Sequence, residues 1–114
     1  MIAVIFEVIP TKEGKQEYLE IAASLREHLV KIPGFISIER FQSLTEPQKI
    51  LSLSFWEDED SIAEWRNLEE HRSAQSKGRS KLFKNYRIRV CSVARDYTLT
   101  KRSEAPDDSN CFYS

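Results

Sequence analysis

Residues 50–60, ILSLSFWEDED, decide the fold because they change from the pattern of a strand to that of a helix. Leu51, Leu53 and Phe55 alternate with residues that face the other way, which is the two-residue period of a strand over residues 50–56. The four acidic residues that follow suit the positive end of a helix dipole. We therefore predict a strand that leads directly into a helix.

The segments before this stretch add another strand and another helix. Residues 2–9 are almost entirely apolar, broken only by Glu7, which is typical of a strand buried on both faces. Pro10 ends the strand, and Thr11 can cap a helix that runs from Lys12 to about Ile32. Apolar residues recur at three- and four-residue spacing along this helix and form one buried stripe: Tyr18, Ile21, Ala22, Leu25 and Leu29.

Turn signals and two further elements complete the pattern. The turn Pro33-Gly34 precedes a strand over residues 35–43, which pairs with residues 50–56 as a hairpin. The second helix is expected to reach about Leu82 and to be kinked or in two parts near residues 67–70, and a last strand is expected over residues 86–94. This order predicts the α+β class: a ferredoxin-like βαββαβ fold with a four-stranded antiparallel sheet.

The 114 residues are enough for one domain with one core. We expect that domain to span residues 1–97. Residues 98–114 are polar and contain Pro106 and two adjacent aspartates, so they are expected to form a polar C-terminal tail, a composition typical of flexible segments.

The predicted sheet has a second apolar face. Phe41 and Val93 lie opposite in parity to Ile38 and Ile88, and the first strand is apolar on both sides. Such a face is too hydrophobic to stay in water, so we predict a homodimer in which it packs against an identical sheet. The alternative is a monomer whose tail folds back over the same face.

Charge and composition bound the partners. Lys and Arg total 17 against 18 for Asp and Glu, so a net charge of −1 argues against nucleic acid or an anionic membrane as a partner. The apolar N-terminal stretch is shorter than the roughly 20 residues of a membrane span and lacks the features of a signal peptide, so we expect a cytoplasmic protein. Cys91 and Cys111 are expected to be reduced thiols, and neither has the spacing of a metal ligand.

The second helix has an unusual inward face. His71, Ala74, Gln75, Gly78 and Leu82 share one side of a helix because they are offset by three, four, seven and eleven residues. Two small residues beside two polar ones leave volume unfilled and place hydrogen-bonding groups around it, as a mostly apolar ligand pocket requires. We therefore predict a small-molecule pocket here.

His71 is the candidate general base, because it is the group on that face whose ordinary pKa, about 6.5, lies near neutrality. The alternative is a structural histidine bonded to a backbone carbonyl or to Glu70. Trp65 and Phe83 would be apolar walls, although a Trp at an inward position is also a common core residue. Arg79, near the helix end, would orient an anionic or phenolic oxygen.

Four motifs carry a family resemblance: Ser54-Phe-Trp-Glu-Asp-Glu-Asp-Ser-Ile-Ala-Glu-Trp65, Glu70-His-Arg-Ser-Ala-Gln75, Gly78-Arg79 and Tyr86-Arg-Ile-Arg-Val90. With the Pro33-Gly34-Phe35 turn, they resemble the antibiotic biosynthesis monooxygenase domain family over about residues 2–97. The resemblance implies a dimeric α+β barrel with a pocket between sheet and helices in each protomer. It also implies that dioxygen oxidises phenolic or quinol-like aromatics without flavin, haem or metal.

The resemblance does not extend to the haem-degrading branch. Those relatives have an Asn in the first strand, a Trp on the second helix and a haem-ligating His ten residues later, and this sequence keeps only Trp65. Gln75 stands at the ligand position and Val4 at the Asn position, so the usual imidazole ligand is missing. We therefore expect no cofactor.

Two functions follow as hypotheses. The first is a cofactor-independent monooxygenase that oxidises a small electron-rich aromatic, such as a quinol, hydroquinone or polyphenol, with dioxygen. His71 would remove the phenolic proton, and Gln75 or Arg79 would hold the oxyanion. The alternative is a non-catalytic dimeric protein of the same fold that binds or senses a small molecule. A third reading, a structural subunit with a filled core, predicts no cavity near Ala74 and Gly78.

Overall fold

The structure, a computed structural model, describes residues 1–75 and 82–113, with side chains at residues 1–67 and 82–110. The elements follow in the order β1 (Ile2–Pro10), α1 (Lys15–Leu29), β2 (Phe35–Gln42), β3 (Ile50–Trp56), α2 (Glu59–Gln75), β4 (Phe83–Ser92) and α3 (Asp107–Tyr113). The predicted βαββαβ order is confirmed, and α3 follows it.

The four strands form one antiparallel sheet in the order β2-β3-β1-β4. In β1 the even-numbered residues Val4, Phe6 and Val8 face the helices and are buried. In β3 the even-numbered residues are the buried ones as well, and Trp56 is fully enclosed. The period of two read from the sequence therefore places one face of the sheet under both helices.

The main core forms where α1 and α2 cross this face. Leu29 of α1 and Ile62 and Trp65 of α2 pack with Val4 and Trp56 of the sheet. The indole rings of Trp56 and Trp65 have their centres 5.7 Å apart. A second cluster lies further along β1, where Phe6 and Val8 contact Tyr18 of α1. Both clusters use the predicted apolar stripes, so the fold follows from their periodicity.

Gly14 allows the start of α1 to lie against the chain that enters β4. A Cβ at Gly14 would lie 2.6 Å from Leu82 Cα and 2.8 Å from the Leu82 carbonyl oxygen. The Thr11 backbone N–H donates to that same carbonyl at 2.9 Å, and the Thr11 hydroxyl accepts from the Gly14 N–H at 2.8 Å. Thr11 therefore caps a turn over residues 11–14, and the helix proper begins three residues later than predicted.

The start of α2 is fastened to the turn before β2. The Asp58 carboxylate accepts hydrogen bonds from the Ser61 N–H at 3.0 Å and the Ser61 hydroxyl at 2.8 Å, which is an N-cap arrangement. These bonds, the backbone one first, lower the pKa of Asp58 below its ordinary value of 3.8. The Ser61 hydroxyl also lies 2.6 Å from the Pro33 carbonyl oxygen. Gly34 has a φ of 90°, and a side chain there would meet Ser61.

The opposite face of the sheet is apolar at its centre, as predicted. Ile5, Leu51, Leu53 and Phe55 are half-buried there, and Phe41, opposite Leu51, is 43% exposed. At one side of this face Arg89 pairs with Glu7 at 3.2 Å. The face therefore combines an apolar centre with charged groups beside it.

Both predicted ends of β4 were wrong, and the strand ends at Ser92 instead of residue 94. β4 begins at Phe83 instead of Tyr86, because Phe83 and Asn85 pair with Pro10 and Ile9 of β1 despite the polar Lys84-Asn85 sequence. A register shift between Ile9 and Pro10 accommodates this pairing. The helix α2 is continuous through residues 67–70, so it is not in two parts there, and a kink at that place stays a prediction.

The tail, whose composition is typical of a flexible segment, contains ordered structure. The Arg102 guanidinium donates to Asn110 Oδ1 at 3.0 Å, to Ser109 Oγ at 2.7 Å and to the Thr98 carbonyl at 3.1 Å. The same guanidinium lies 5.3 Å from the centre of the Tyr97 ring. Arg102 therefore holds the start of α3 against the segment that follows β4, through contacts that composition alone does not reveal.

No helix formed by residues 1–75 and 82–113 has both the length and the apolar composition of a membrane span.

Candidate active site

An enclosed cavity lies between the sheet and the two helices, on the side of the core where the resemblance places a pocket. All four strands or their ends and both helices contribute to its lining. The described lining residues are Phe6, Tyr18, Ile21, Ala22, Leu25, Arg40, Ser52, Trp65, Leu82 and Phe83.

One end of the cavity is aromatic. The Phe83 ring packs edge-on against Phe6, with centres 6.1 Å apart, and against Tyr18 at 5.5 Å. Tyr86 extends the cluster, with its ring centre 5.8 Å from that of Phe6 and 5.9 Å from that of Phe83. Such edge-to-face groups form rigid apolar walls, which suits the ring or hydrocarbon body of a small ligand.

The other end of the cavity is polar. Arg40 of β2 and Ser52 of β3 are direct cross-strand partners, and their side chains point to the helix side with the buried Ile38 and Ser54. Ser52 is buried, Arg40 is half-buried, and the Tyr18 hydroxyl is buried on the helix that covers them. The cavity therefore has three hydrogen-bonding side chains on an apolar background.

Arg40 is electrostatically isolated within the described part of the site. Its Nε is buried and has no hydrogen-bond partner among the residues that the structure describes. Arg40 is also the one charged residue in the described lining, so no carboxylate there offsets the guanidinium. A positive charge with a buried free donor is a site for an anionic or strongly polar oxygen.

The predicted site residues fall into two groups. Trp65 and Phe83 both line the cavity; Trp65 is 7% exposed and also packs in the main core. His71, Ala74 and Gln75 lie on the last turns of α2, and their side chains are outside the described residues. Gly78 and Arg79 lie wholly outside them. The roles of all these residues stay predictions.

The space enclosed by the cavity is about 20 Å³, which is room for about one water molecule. A drug-sized ligand needs a pocket of roughly 300 Å³ or more. Ligand binding therefore requires the lining to move apart. Among the other depressions, one of about 340 Å³ lies over Phe41 and Leu51, but it is an open groove on the outer face of the sheet.

Sequence reasoning missed the three polar residues Tyr18, Arg40 and Ser52 as site residues. Arg40 could have been found, because alternation along β2 puts it on the same face of the sheet as Ile38, whereas Phe41 points to the other face. Ser52 is opposite Arg40 by the register of the hairpin. Tyr18 was recognised as part of the buried stripe, but the pattern gives no sign that a cavity adjoins its hydroxyl.

Comparison with known proteins identifies the class. The family model for antibiotic biosynthesis monooxygenases matches residues 1–77, and the chain belongs to that family. The folds of solved structures agree: SnoaB from Streptomyces nogalater, described as a cofactor-independent oxygenase, superposes with a TM-score of 0.67. That superposition covers 87% of this chain and 96% of SnoaB at 11% identity, so it bears on the fold alone.

Two curated relatives are similar over 93 residues, which is 82% of this chain. The jasmonate monooxygenase ABM of Pyricularia oryzae is 48% identical, and this chain spans 43% of its length. The uncharacterized protein YqjZ of Bacillus subtilis is 32% identical, and this chain spans 79% of it. The chain therefore spans less than half of the monooxygenase that it matches.

Proposed function

We propose that this chain is a monooxygenase that uses dioxygen to oxidise a small organic substrate held in the cavity between sheet and helices. The observation that carries the proposal is the composition of the cavity, with an aromatic end at Phe6 and Phe83 and a polar end at Arg40 and Ser52. Family membership and the 48% identity to a named monooxygenase support the reaction class.

We propose a small electron-rich aromatic, such as a quinol, hydroquinone or polyphenol, as the substrate class. Dioxygen is a triplet and reacts slowly with closed-shell molecules, so the substrate must first become an anion that can give up one electron. An aromatic of this kind can supply all four electrons that dioxygen accepts. One oxygen atom enters the ring system as a carbonyl and the other leaves as water, so no separate reductant is needed.

In this mechanism His71 removes the phenolic proton and Gln75 or Arg79 holds the resulting oxyanion. Ala74 and Gly78 leave space for the ring, while Trp65 and Phe83 orient it and keep water away from the reactive intermediate. No cofactor is needed for these steps. Val4, at the position of the Asn in haem-degrading relatives, is 1% exposed and packed in the main core, which supports a reaction without haem.

A second substrate class is favoured by the Pyricularia relative, whose name specifies jasmonate. A jasmonate is a carboxylate anion, and the cavity offers Arg40 as a cationic partner. Hydroxylation of a saturated carbon releases only two electrons, whereas reduction of dioxygen to the level of water takes four. An assay with this substrate therefore has to include a two-electron donor.

We also propose that the working form is a homodimer. The apolar centre of the outer sheet face, with Leu51, Leu53 and Phe55, would be buried against the same face of a second copy. A charged substitution at the centre, Leu53→Glu, is expected to shift the measured mass in solution from dimer to monomer. An unchanged mass for this variant would place the contact elsewhere.

The catalytic proposal is tested by oxygen uptake with a panel of quinols, followed by mass spectrometry of the products made with isotope-labelled dioxygen. We expect one labelled oxygen in the product and a fall of about a hundredfold in rate for His71→Ala. The matched control is His28→Ala on α1, which should keep the wild-type rate.

An unchanged rate in His71→Ala would remove that residue from the mechanism. If the wild-type protein binds these compounds but consumes no oxygen with any of them, or with jasmonate and a reductant, the chain is instead a binding or sensing protein of the same fold.

A further inference from the structure

We propose that Arg40 is the residue that binds a carboxylate of the substrate, so that the cavity selects amphipathic acids over their neutral counterparts. This inference rests on the proposed function, namely that the substrate occupies this cavity, and within it on the second substrate class, because simple quinols and hydroquinones carry no carboxylate. It adds a binding residue and a ligand class to that function, and neither comes from the predicted set of site residues.

The side chains across the sheet change from polar to apolar. Arg40 of β2 is opposite Ser52 of β3, Ser52 is opposite Phe6 of β1, and Phe6 is opposite Ile88 of β4. These four residues form one row on the helix side, and the row changes from charged to hydroxyl to aromatic to aliphatic. Arg40, Ser52 and Phe6 line the cavity, and with strands about 4.8 Å apart they span roughly 10 Å, whereas Ile88 is 50% exposed and lies outside the described lining. A ligand with an acid group at one end and an apolar body matches this gradient.

The guanidinium of Arg40 also favours a carboxylate ligand. The Nε of Arg40 is buried and has no hydrogen-bond partner among the described residues, although buried donors in proteins are nearly always paired. A guanidinium presents Nε and a terminal nitrogen as a fork that fits the two oxygens of a carboxylate. A bound carboxylate would satisfy the unpaired donor and neutralise the charge in one contact.

The neighbours of Arg40 in the cavity are compatible with an anion. Ser52 lies beside it across the hairpin, and the Tyr18 hydroxyl lines the same cavity. The Ser52 hydroxyl can donate to an anion, and no described lining residue carries a negative charge that would repel one. Arginine stays protonated at all physiological pH values, so Arg40 acts by holding the substrate and takes no part in proton transfer.

The test is a comparison of one acid with its neutral ester. Binding of jasmonate and of methyl jasmonate is measured by titration calorimetry on the full chain, for the wild type and for Arg40→Gln and Arg40→Lys. Arg66→Gln, which removes an exposed arginine of α2, is the matched control. Urea unfolding of each variant shows that the fold is retained.

We expect the wild type to bind the acid at least about tenfold more tightly than the ester, because a hydrogen bond to a charged group is worth that much in affinity. Arg40→Gln should lose about ten- to a hundredfold in affinity for the acid and keep its affinity for the ester. The affinity of Arg40→Lys for the acid should lie between those of the wild type and Arg40→Gln, since lysine keeps the charge and lacks the guanidinium fork. Arg66→Gln should match the wild type.

The inference is overturned if the wild type fails to prefer the acid, or if Arg40→Gln weakens acid and ester equally or weakens neither. If Arg40→Gln does not fold, the test rests on whether the wild type prefers the acid to the ester and whether Arg40→Lys reduces that preference. The binding result can be told apart from the catalytic result. Acid preference without oxygen uptake refutes the monooxygenase and leaves the carboxylate site. Oxygen uptake with equal binding of acid and ester refutes the carboxylate site and leaves the monooxygenase.

Discussion

Replacing Arg40 with methionine should make the ligand-free protein more stable. The Arg40 Nε is buried without a hydrogen-bond partner in the described part of the chain, and an unsatisfied buried donor costs about 1–3 kcal/mol. Methionine keeps an unbranched apolar stem and adapts to irregular space, so it can fill the place of the Arg40 side chain in the cavity lining. Part of the gain is lost because Arg40 is only half-buried.

The net expectation for Arg40→Met is a rise of about 1 kcal/mol in the free energy of unfolding, which for a domain of this size raises Tm by roughly 3–6 °C. Urea and thermal unfolding followed by circular dichroism measure both quantities. Arg66→Met, on the exposed face of α2, is the control and should change stability by less than about 0.5 kcal/mol. A loss of 1 kcal/mol or more in Arg40→Met would show that the guanidinium already has a stabilising partner, and the reasoning would then be refuted.

Three further predictions concern the framework around the site. Gly14→Ala should lower the free energy of unfolding by about 1–3 kcal/mol in urea, because the new methyl group would lie 2.6 Å from Leu82 Cα, whereas Glu13→Ala should have little effect. Because the pKa of Asp58 is lower in the folded protein than its ordinary 3.8, its stabilising effect is complete above that value and disappears as pH falls through the folded-state pKa. Asp58→Asn keeps a capping side chain, so unfolding curves across the acid range should depend less on pH than in the wild type, and equal dependence would count against this role. Arg102→Ala should speed amide hydrogen exchange in α3 but not in β1, since Arg102 bonds to Ser109 and Asn110; unchanged exchange in α3 would mean that other contacts hold it.

The elements with strict periodicity were predictable from the sequence. The strand over residues 50–56 has the predicted bounds, and four of the five stripe residues of α1 are buried, namely Tyr18, Ala22, Leu25 and Leu29. Local sequence patterns failed where contacts with residues outside a segment determine its secondary structure. Lys84 and Asn85 belong to a strand because β1 pairs with Phe83 and Asn85, and α3 forms where Arg102 bonds to residues seven and eight positions later.

The candidate site was less predictable, and the reason is physical. Of the residues that the sequence assigned to the pocket, Trp65 and Phe83 line the cavity, and the pattern around His71 stays a prediction. Alternation along β2 fixes the face on which Arg40 lies, but it does not say whether a helix covers that face or leaves space over it. That space depends on how α1 and α2 sit on the sheet, which is set by side chains far from Arg40 in the sequence.

The position of Arg40 also explains how one sheet can serve two purposes. β2 is an edge strand, so its inward side chains stand at the margin of the core, where a charged group can lie half-buried without disrupting the packing of Val4 and Trp56. One residue further along, Phe41 points to the opposite face and joins the apolar surface proposed for dimerisation. A one-residue register slip of β2 would exchange these two side chains, putting a charge at the dimer face and a phenyl ring in the cavity. Pairing of β2 with β3 over residues 37–42 therefore fixes which side chains face the cavity and which face the proposed dimer contact, so a variant that shifts this register should lose both proposed properties, dimerisation and acid binding, together.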